Sequence, residues 1–164
     1  MKAQPDPVGP GQESVWAYPR PPRVVSSEQH VLVRFAGRVV CDTRRALRLL
    51  ETSHPPTWYL PRADFSPGSL RPALGSSFCE WKGSASYLDV VAGDAIAKAQ
   101  AWTYLTPNPG YAVLADHVAL YASAMEGCFV DGERVRPQPG GFYGGWITDN
   151  VKGPFKGIPG SMGW

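Results

Sequence analysis

The densest cluster of reactive side-chain types in the chain is Cys79-Glu80-Trp81-Lys82-Gly83. A cysteine three residues before a lysine can be held as a thiolate by the ammonium, and a desolvated lysine can act as base or nucleophile. The same residues also read as a plain turn, with Cys79 a small buried hydrophobe, Lys82 solvated and Gly83 supplying a positive φ. Glu51, just before His54-Pro55, is a carboxylate able to face a cation in a pocket, or one that pairs with Arg48 on the surface. Trp58, Tyr59, Trp81, Tyr87, Trp102 and Tyr104 fall on or beside predicted strands. They are either core or the wall of a cage for a small ligand, because rings give contact area at low entropic cost and an attractive face for positive charge.

Other chemistries find no pattern to stand on. His30, His54 and His117 lack the mutual spacing of metal ligands, and Cys41, Cys79 and Cys128 form no CxxC, so neither a metal site nor a cofactor is expected. No Ser/His/Asp order and no phosphate-cradling glycine motif occurs. The net charge of +2, from 16 basic and 14 acidic residues, gives no nucleic-acid footprint. No apolar run approaches the roughly 18 to 20 residues that span a bilayer, and Met1-Lys2 leads into a proline-rich stretch without a signal-like apolar segment. A cytoplasmic location is expected. Arginine well outnumbers lysine, isoleucine and asparagine are scarce, and alanine, glycine and proline abound, as in proteins from GC-rich bacterial genomes.

These residues need elements to position them. At 164 residues the chain is one domain's length, and 18 glycines with 17 prolines predict many turns and little helix. The organisation expected is a Pro-rich extended arm at 1–23, a core domain at 24–124, and a C-terminal hairpin with a Gly/aromatic-rich extension packed on that core at 125–164. Val31, Val33 and Phe35, then Ala36-Gly37, then Arg38 to Cys41 predict a hairpin. Asp42 or Thr43 can cap a short helix at about 43–52, where Ala46, Leu47 and Leu50 recur at helical spacing and Arg44, Arg45 and Arg48 fall outward. Thr57 to Leu60 reads as a strand, Pro61 to Leu74 as a loop, and Ser84 to Ala92 as a strand with Ala85 and Tyr87 on one face. Asp94 to Leu105 reads as a loop running into a strand that places Trp102 and Tyr104 on one side. His117 to Tyr121 is another strand, and Asp131-Gly132 turns a hairpin. The rings of the last segment, Phe142, Tyr143, Trp146, Phe155 and Trp164, are expected to bury against the domain.

Taken in order, Arg38-Val-Val-Cys-Asp42, Leu50-Glu51-Thr52, Pro56-Thr-Trp-Tyr59-Leu-Pro61, Cys79-Glu-Trp-Lys-Gly83, Ala85-Ser-Tyr87, Ala101-Trp102-Thr-Tyr104 and Leu120-Tyr121 resemble the bacterial and fungal family known as domain of unknown function 427, labelled nucleotidyltransferase-like. The resemblance runs over roughly 24 to 124. It implies a small, mostly antiparallel β fold of the β-tent type, a group that includes methionine sulfoxide reductase B and the thalidomide-binding domain of cereblon. Members of that group carry an aromatic-lined pocket on the sheet face, and many hold zinc on two CxxC pairs that this chain lacks. No Gly-Ser signature or aspartate pair accompanies the nucleotidyltransferase label. Glu51, Tyr59, Cys79, Lys82, Tyr87, Trp102 and Tyr104 match the family's characteristic positions.

The resulting expectation is a single mostly β domain that binds a small molecule in a pocket lined by those seven residues, with Lys82 and Glu51 supplying charge. Two other readings stand beside it. One is an enzyme using Cys79 as nucleophile or redox thiol together with Lys82, and the other is an interaction module whose tail docks a partner or closes a homodimer.

Overall fold

Apolar side chains recur at every second position through much of the chain, and that period builds sheets whose two faces differ. The computed structural model describes residues 3–164. Its strands are β1 (Glu13–Ser14), β2 (Arg23–Ser26), β3 (Val31–Phe35), β4 (Arg38–Thr43), β5 (Leu47–Leu50), β6 (Thr57–Pro61), β7 (Leu70–Cys79), β8 (Gly83–Ala92), β9 (Ala95–Thr103), β10 (His117–Leu120), β11 (Gly127–Val130), β12 (Glu133–Arg134), β13 (Arg136–Pro137), β14 (Trp146–Ile147) and β15 (Val151–Lys152). An antiparallel sheet of seven strands runs in the order β2-β5-β6-β10-β9-β8-β7, and a second of four runs β12-β11-β3-β4. The fold is the small, mostly β, antiparallel single domain that the sequence predicts.

The helix expected at about 43–52 does not form. The helical residues described are confined to short 3-10 turns, and Leu47–Leu50 is a strand between β2 and β6. Leu47 and Leu49 are buried while Arg48 and Leu50 are less so, a period of two rather than 3.6. Two neighbouring strands supply ladder partners that an isolated helix would have to replace, and tertiary pairing overrides the propensity of Ala46 and Leu47. Thr43 serves the turn instead: its hydroxyl donates to Asp64 at 2.6 Å and accepts from the Arg45 amide at 3.0 Å. Arg48 does not fall outward either, but grips Glu13 at 3.0 and 3.2 Å. Two further segments are more regular than expected. The stretch 61–74 holds a 3-10 turn and the start of β7, and β9 begins directly at Ala95.

Alternation across the seven-stranded sheet sorts its residues into two sets. Leu60, Leu88, Val90, Ala101, Val118 and Leu120 face the four-stranded sheet and pack on Val31, Val33, Val40 and Cys128 as the main core. Tyr59, Trp102, Tyr104 and Ala119 point the other way, and with Leu47, Leu49, Tyr111 and Leu114 form a second cluster, against which Trp81, Tyr87 and Tyr121 are partly buried.

The first and last strands meet. β1 pairs in parallel with β15, and Val15 and Tyr18 are buried with Val151. In the C-terminal segment Trp146 is fully buried and stacks on Trp58 at 6.2 Å, whereas Tyr143, Phe155 and Trp164 are half-buried. Phe142 departs from the expected burial and is 73% exposed. No helix among the described residues is long and apolar enough to cross a membrane.

Candidate functional site

The second face of the large sheet is not closed by another sheet, and its aromatic side chains line a cleft of about 340 Å³. Tyr59 from β6, Tyr87 from β8 and Trp102 from β9 stand on it because each occupies the alternate position to a core residue. Tyr104 follows one period after Trp102, and the two rings share a face as the sequence predicts.

Lys82 reaches the cleft from the β7–β8 turn. Cys79 and Gly83 are the last residues paired there, and Gly83 has φ of +107°, a conformation that a side chain would strain. Asn108 fixes the turn: its amide donates to the Lys82 carbonyl at 2.8 Å and its side chain donates to the Trp81 carbonyl at 3.1 Å. The Lys82 ammonium lies 5.4 Å from the centre of the Tyr104 ring. Among the described residues its nitrogen forms no ion pair, although carboxylates elsewhere pair with Arg20, Arg34, Arg45, Arg48, Arg71 and Arg136. Burial opposes its charge, but the Tyr59 and Tyr104 phenols and the Cys79 sulfur around it favour that charge, and the pKa lies above the usual lysine range. Burial, with Tyr59 nearby, pushes the Tyr104 phenol up, so it stays protonated. The Tyr59 hydroxyl is buried with no hydrogen-bond partner among the described residues, and its ring centre is 6.3 Å from that of Tyr104.

One wall is the tail. Trp102 packs on Tyr121 at 4.8 Å between ring centres, and the Tyr121 hydroxyl donates to the Phe142 carbonyl at 3.0 Å. Gly144 lies so close to the Trp102 ring that a Cβ would collide with it, which explains a glycine at that position. Gln138 ties the tail to the rim. Its side-chain nitrogen donates to His54 Nδ1 at 3.0 Å and to the Lys156 carbonyl at 2.9 Å, while its oxygen accepts from the Gly145 amide at 3.0 Å. That amide orientation makes Nδ1 of His54 an acceptor and places its proton on Nε2, which faces Glu51 at 3.6 Å. Burial, followed by the positive charges of Lys156, Arg20 and Lys82, lowers the His54 pKa to about 4, so the ring is neutral. Glu51 is also 3.5 Å from Arg20, and is not the partner of Arg48.

All seven residues singled out in the sequence, Glu51, Tyr59, Cys79, Lys82, Tyr87, Trp102 and Tyr104, line this one cleft. Cys79 is half-buried in it, whereas Cys41 and Cys128 are buried and their thiols are pushed up in pKa, that of Cys41 to about 12. Sequence reasoning missed His54, Tyr121, Gln138, Tyr143 and Lys156 as lining residues and Asn108 as the residue that positions Lys82. The Glu51-x-x-His54 spacing was a usable signal for the first. Chemically, a lysine kept charged is a donor rather than a nucleophile, and in the cleft it offers hydrogen bonds to an acceptor oxygen.

The model of the family described as Domain of unknown function (DUF427) matches residues 23–131 of the chain. That stretch carries the sheet residues, Glu51 and Lys82 but stops short of the tail wall. The nucleotidyltransferase of the family's short label is a name only. No curated protein matches the chain.

Proposed function

The chain belongs to the domain of unknown function 427 family, and we propose that it binds a small planar ligand in the aromatic cleft, with a carbonyl or anionic oxygen of the ligand seated on Lys82. The observation that carries this reading is that the Lys82 ammonium, over the Tyr104 ring in the cleft, has no carboxylate partner among the described residues, while the Tyr59 hydroxyl of the same cleft has no hydrogen-bond partner among them. A half-buried cation without a counter-charge and a buried hydroxyl without a partner are each unfavourable, and an acceptor oxygen that reached both would relieve both. The volume of about 340 Å³ suits a ligand of small-molecule size. Trp102, Tyr87 and Tyr104 supply flat contact surface, and Glu51 supplies charge at the rim.

The test is titration of aromatic carboxylates, benzoate and indole-3-carboxylate, against the protein and its Lys82→Met variant. Methionine retains most of the stem's packing, so the melting temperature should hold or rise. Affinity should fall ten-fold or more, as expected for a charge-assisted hydrogen bond of about 1.5 to 3 kcal/mol. Binding that survives in Lys82→Met, or a variant that unfolds while its folded fraction still binds, would overturn the reading.

A second reading rests on the thiol of Cys79, which lines the same cleft while the other two cysteines are buried. In it Cys79 attacks the carbonyl carbon of an ester or thioester whose oxygen Lys82 holds, the C–O or C–S bond breaks to release an alcohol or thiol, and water hydrolyses the acyl-enzyme thioester to free the acid and the Cys79 thiol. Replacing Cys79 by Ser separates the two: binding of carboxylates persists under the first reading, and turnover of an ester or thioester substrate disappears under the second.

A further inference from the structure

Beside the cleft, the C-terminal segment folds back on itself around a second cavity of about 370 Å³. It is a braced structure. The backbone at Gly157 presses against the Pro139 carbonyl where no side chain could stand, and Ser161 accepts from the Gly157 amide at 2.8 Å while donating to the Ile158 carbonyl at 2.5 Å. Ser161 itself is 2% exposed. The cavity's side chains are nevertheless mostly apolar and open to solvent, with Phe142 73%, Met162 86% and Ile158 39% exposed. Apolar residues scattered over a surface need no explanation, but three of them converging on a concave space do.

Phe142, Tyr143 and Lys156 face both this cavity and the cleft. The Phe142 ring stands edge-on against Tyr143, at 4.9 Å, and lines both spaces. We propose that the second cavity is a subsite for an apolar arm of the same ligand, so that the ligand class is an amphipathic acid: an acidic head on a planar ring in the cleft and an aliphatic extension along Phe142 to Ile158 and Met162. This rests on the reading of the cleft given above. Its chemistry is graded: Lys82 stands in the cleft alone, Lys156 and Tyr143 stand where the two spaces meet, and Ile158 and Met162 line only the second cavity, which among the described residues has no aspartate or glutamate in its wall.

The probes that test it are benzoate, 4-butylbenzoate and 4-hexylbenzoate, titrated calorimetrically against the protein and three variants, Lys82→Met, Ile158→Asp and Met162→Asp. The two aspartate variants sit at solvent-open positions, and matching melting curves establish that they fold. In the parent protein affinity should rise at least ten-fold from benzoate to the hexyl compound. Ile158→Asp and Met162→Asp should abolish that rise and leave benzoate unchanged, while Lys82→Met should weaken all three compounds by a similar factor and preserve the rise. A rise with chain length that persists in both aspartate variants, or no rise at all, overturns the subsite without touching the cleft reading. A rise abolished by aspartate with no effect of Lys82→Met overturns the head-group assignment, and with it the amphipathic acid.

Discussion

The two faces of the seven-stranded sheet are built from the same strands and have opposite fates. On one, Leu60, Val90, Val118 and Leu120 meet the four-stranded sheet and are all but fully buried. On the other, one residue away in each strand, stand Tyr59, Trp102 and Tyr104 with Lys82 above them, and the covering is made of a turn and the C-terminal tail rather than a sheet. Sheet-on-sheet contact fills space to the density of a protein interior. Loops and tail cover the other face incompletely, and what they leave open is a cleft whose lysine has no carboxylate partner among the described residues, with the buried Tyr59 hydroxyl in its wall.

The largest effect expected from this contrast is on the core face. Leu60 is fully buried between the sheets, and Leu60→Ala should destabilise by about 2 to 5 kcal/mol, the lost transfer free energy plus a cavity that rigid sheets cannot collapse. Chemical denaturation measures it. Folded Leu60→Ala should bind benzoate as the parent does; a loss of less than about 1 kcal/mol would mean that the two sheets are not the source of stability proposed here.

The next effect lies at the rim of the cleft and is one of pH. His54 has a folded pKa of about 4 against an ordinary value of 6.5, so the folded state binds fewer protons than the unfolded state between those values. Stability is therefore full above about pH 6.5 and is lost as pH falls toward 4, by up to about 3 kcal/mol. Glu13 and Asp64, whose carboxyls are held below their usual range, add their own loss only below about pH 4.5, the ordinary glutamate value. Melting curves across this window should slope in the parent and flatten in His54→Gln. Equal slopes in the two proteins would place the acid sensitivity elsewhere, and the tail's hold on the rim would then not depend on His54.

How far the sequence goes toward this picture depends on the range of each interaction. Strand alternation at Thr57 to Leu60, Ser84 to Ala92 and His117 to Tyr121 is local, and it correctly puts Trp102 with Tyr104 and Tyr87 with Ala85. The cluster Cys79 to Gly83 is equally local, and its turn forms as the glycine requires. The segment Leu47–Leu50 was misread because its alternation is only four residues long and competes with good helix formers; the deciding partners, β2 and β6, lie elsewhere in the chain. Gln138 could not be placed at all. Its bond to His54 spans 84 positions, and a glutamine between prolines carries no chemical signature of its own. The same holds for Asn108, whose role is visible only once the turn it braces has formed 26 residues earlier, at Lys82.

The smallest effect on stability is the most discriminating, because it removes one oxygen atom from the aromatic face. Tyr59 is fully buried and its hydroxyl has no partner among the described residues, so the group gives up its water on folding and gains no hydrogen bond in return. Leaving a hydroxyl buried and unsatisfied is destabilising by about 1 to 3 kcal/mol, some of which phenylalanine at this position should recover. Tyr59→Phe should thus melt at the same temperature or slightly higher, in contrast to an equally buried residue on the core face. If the hydroxyl is kept as a donor for a ligand oxygen, the same substitution should weaken benzoate binding about five- to ten-fold, the equivalent of a net hydrogen bond of about 1 to 1.5 kcal/mol. Loss of stability with unchanged affinity would reverse both expectations: the hydroxyl would then be anchored in the fold, and the two faces of the sheet would differ in composition but not in purpose.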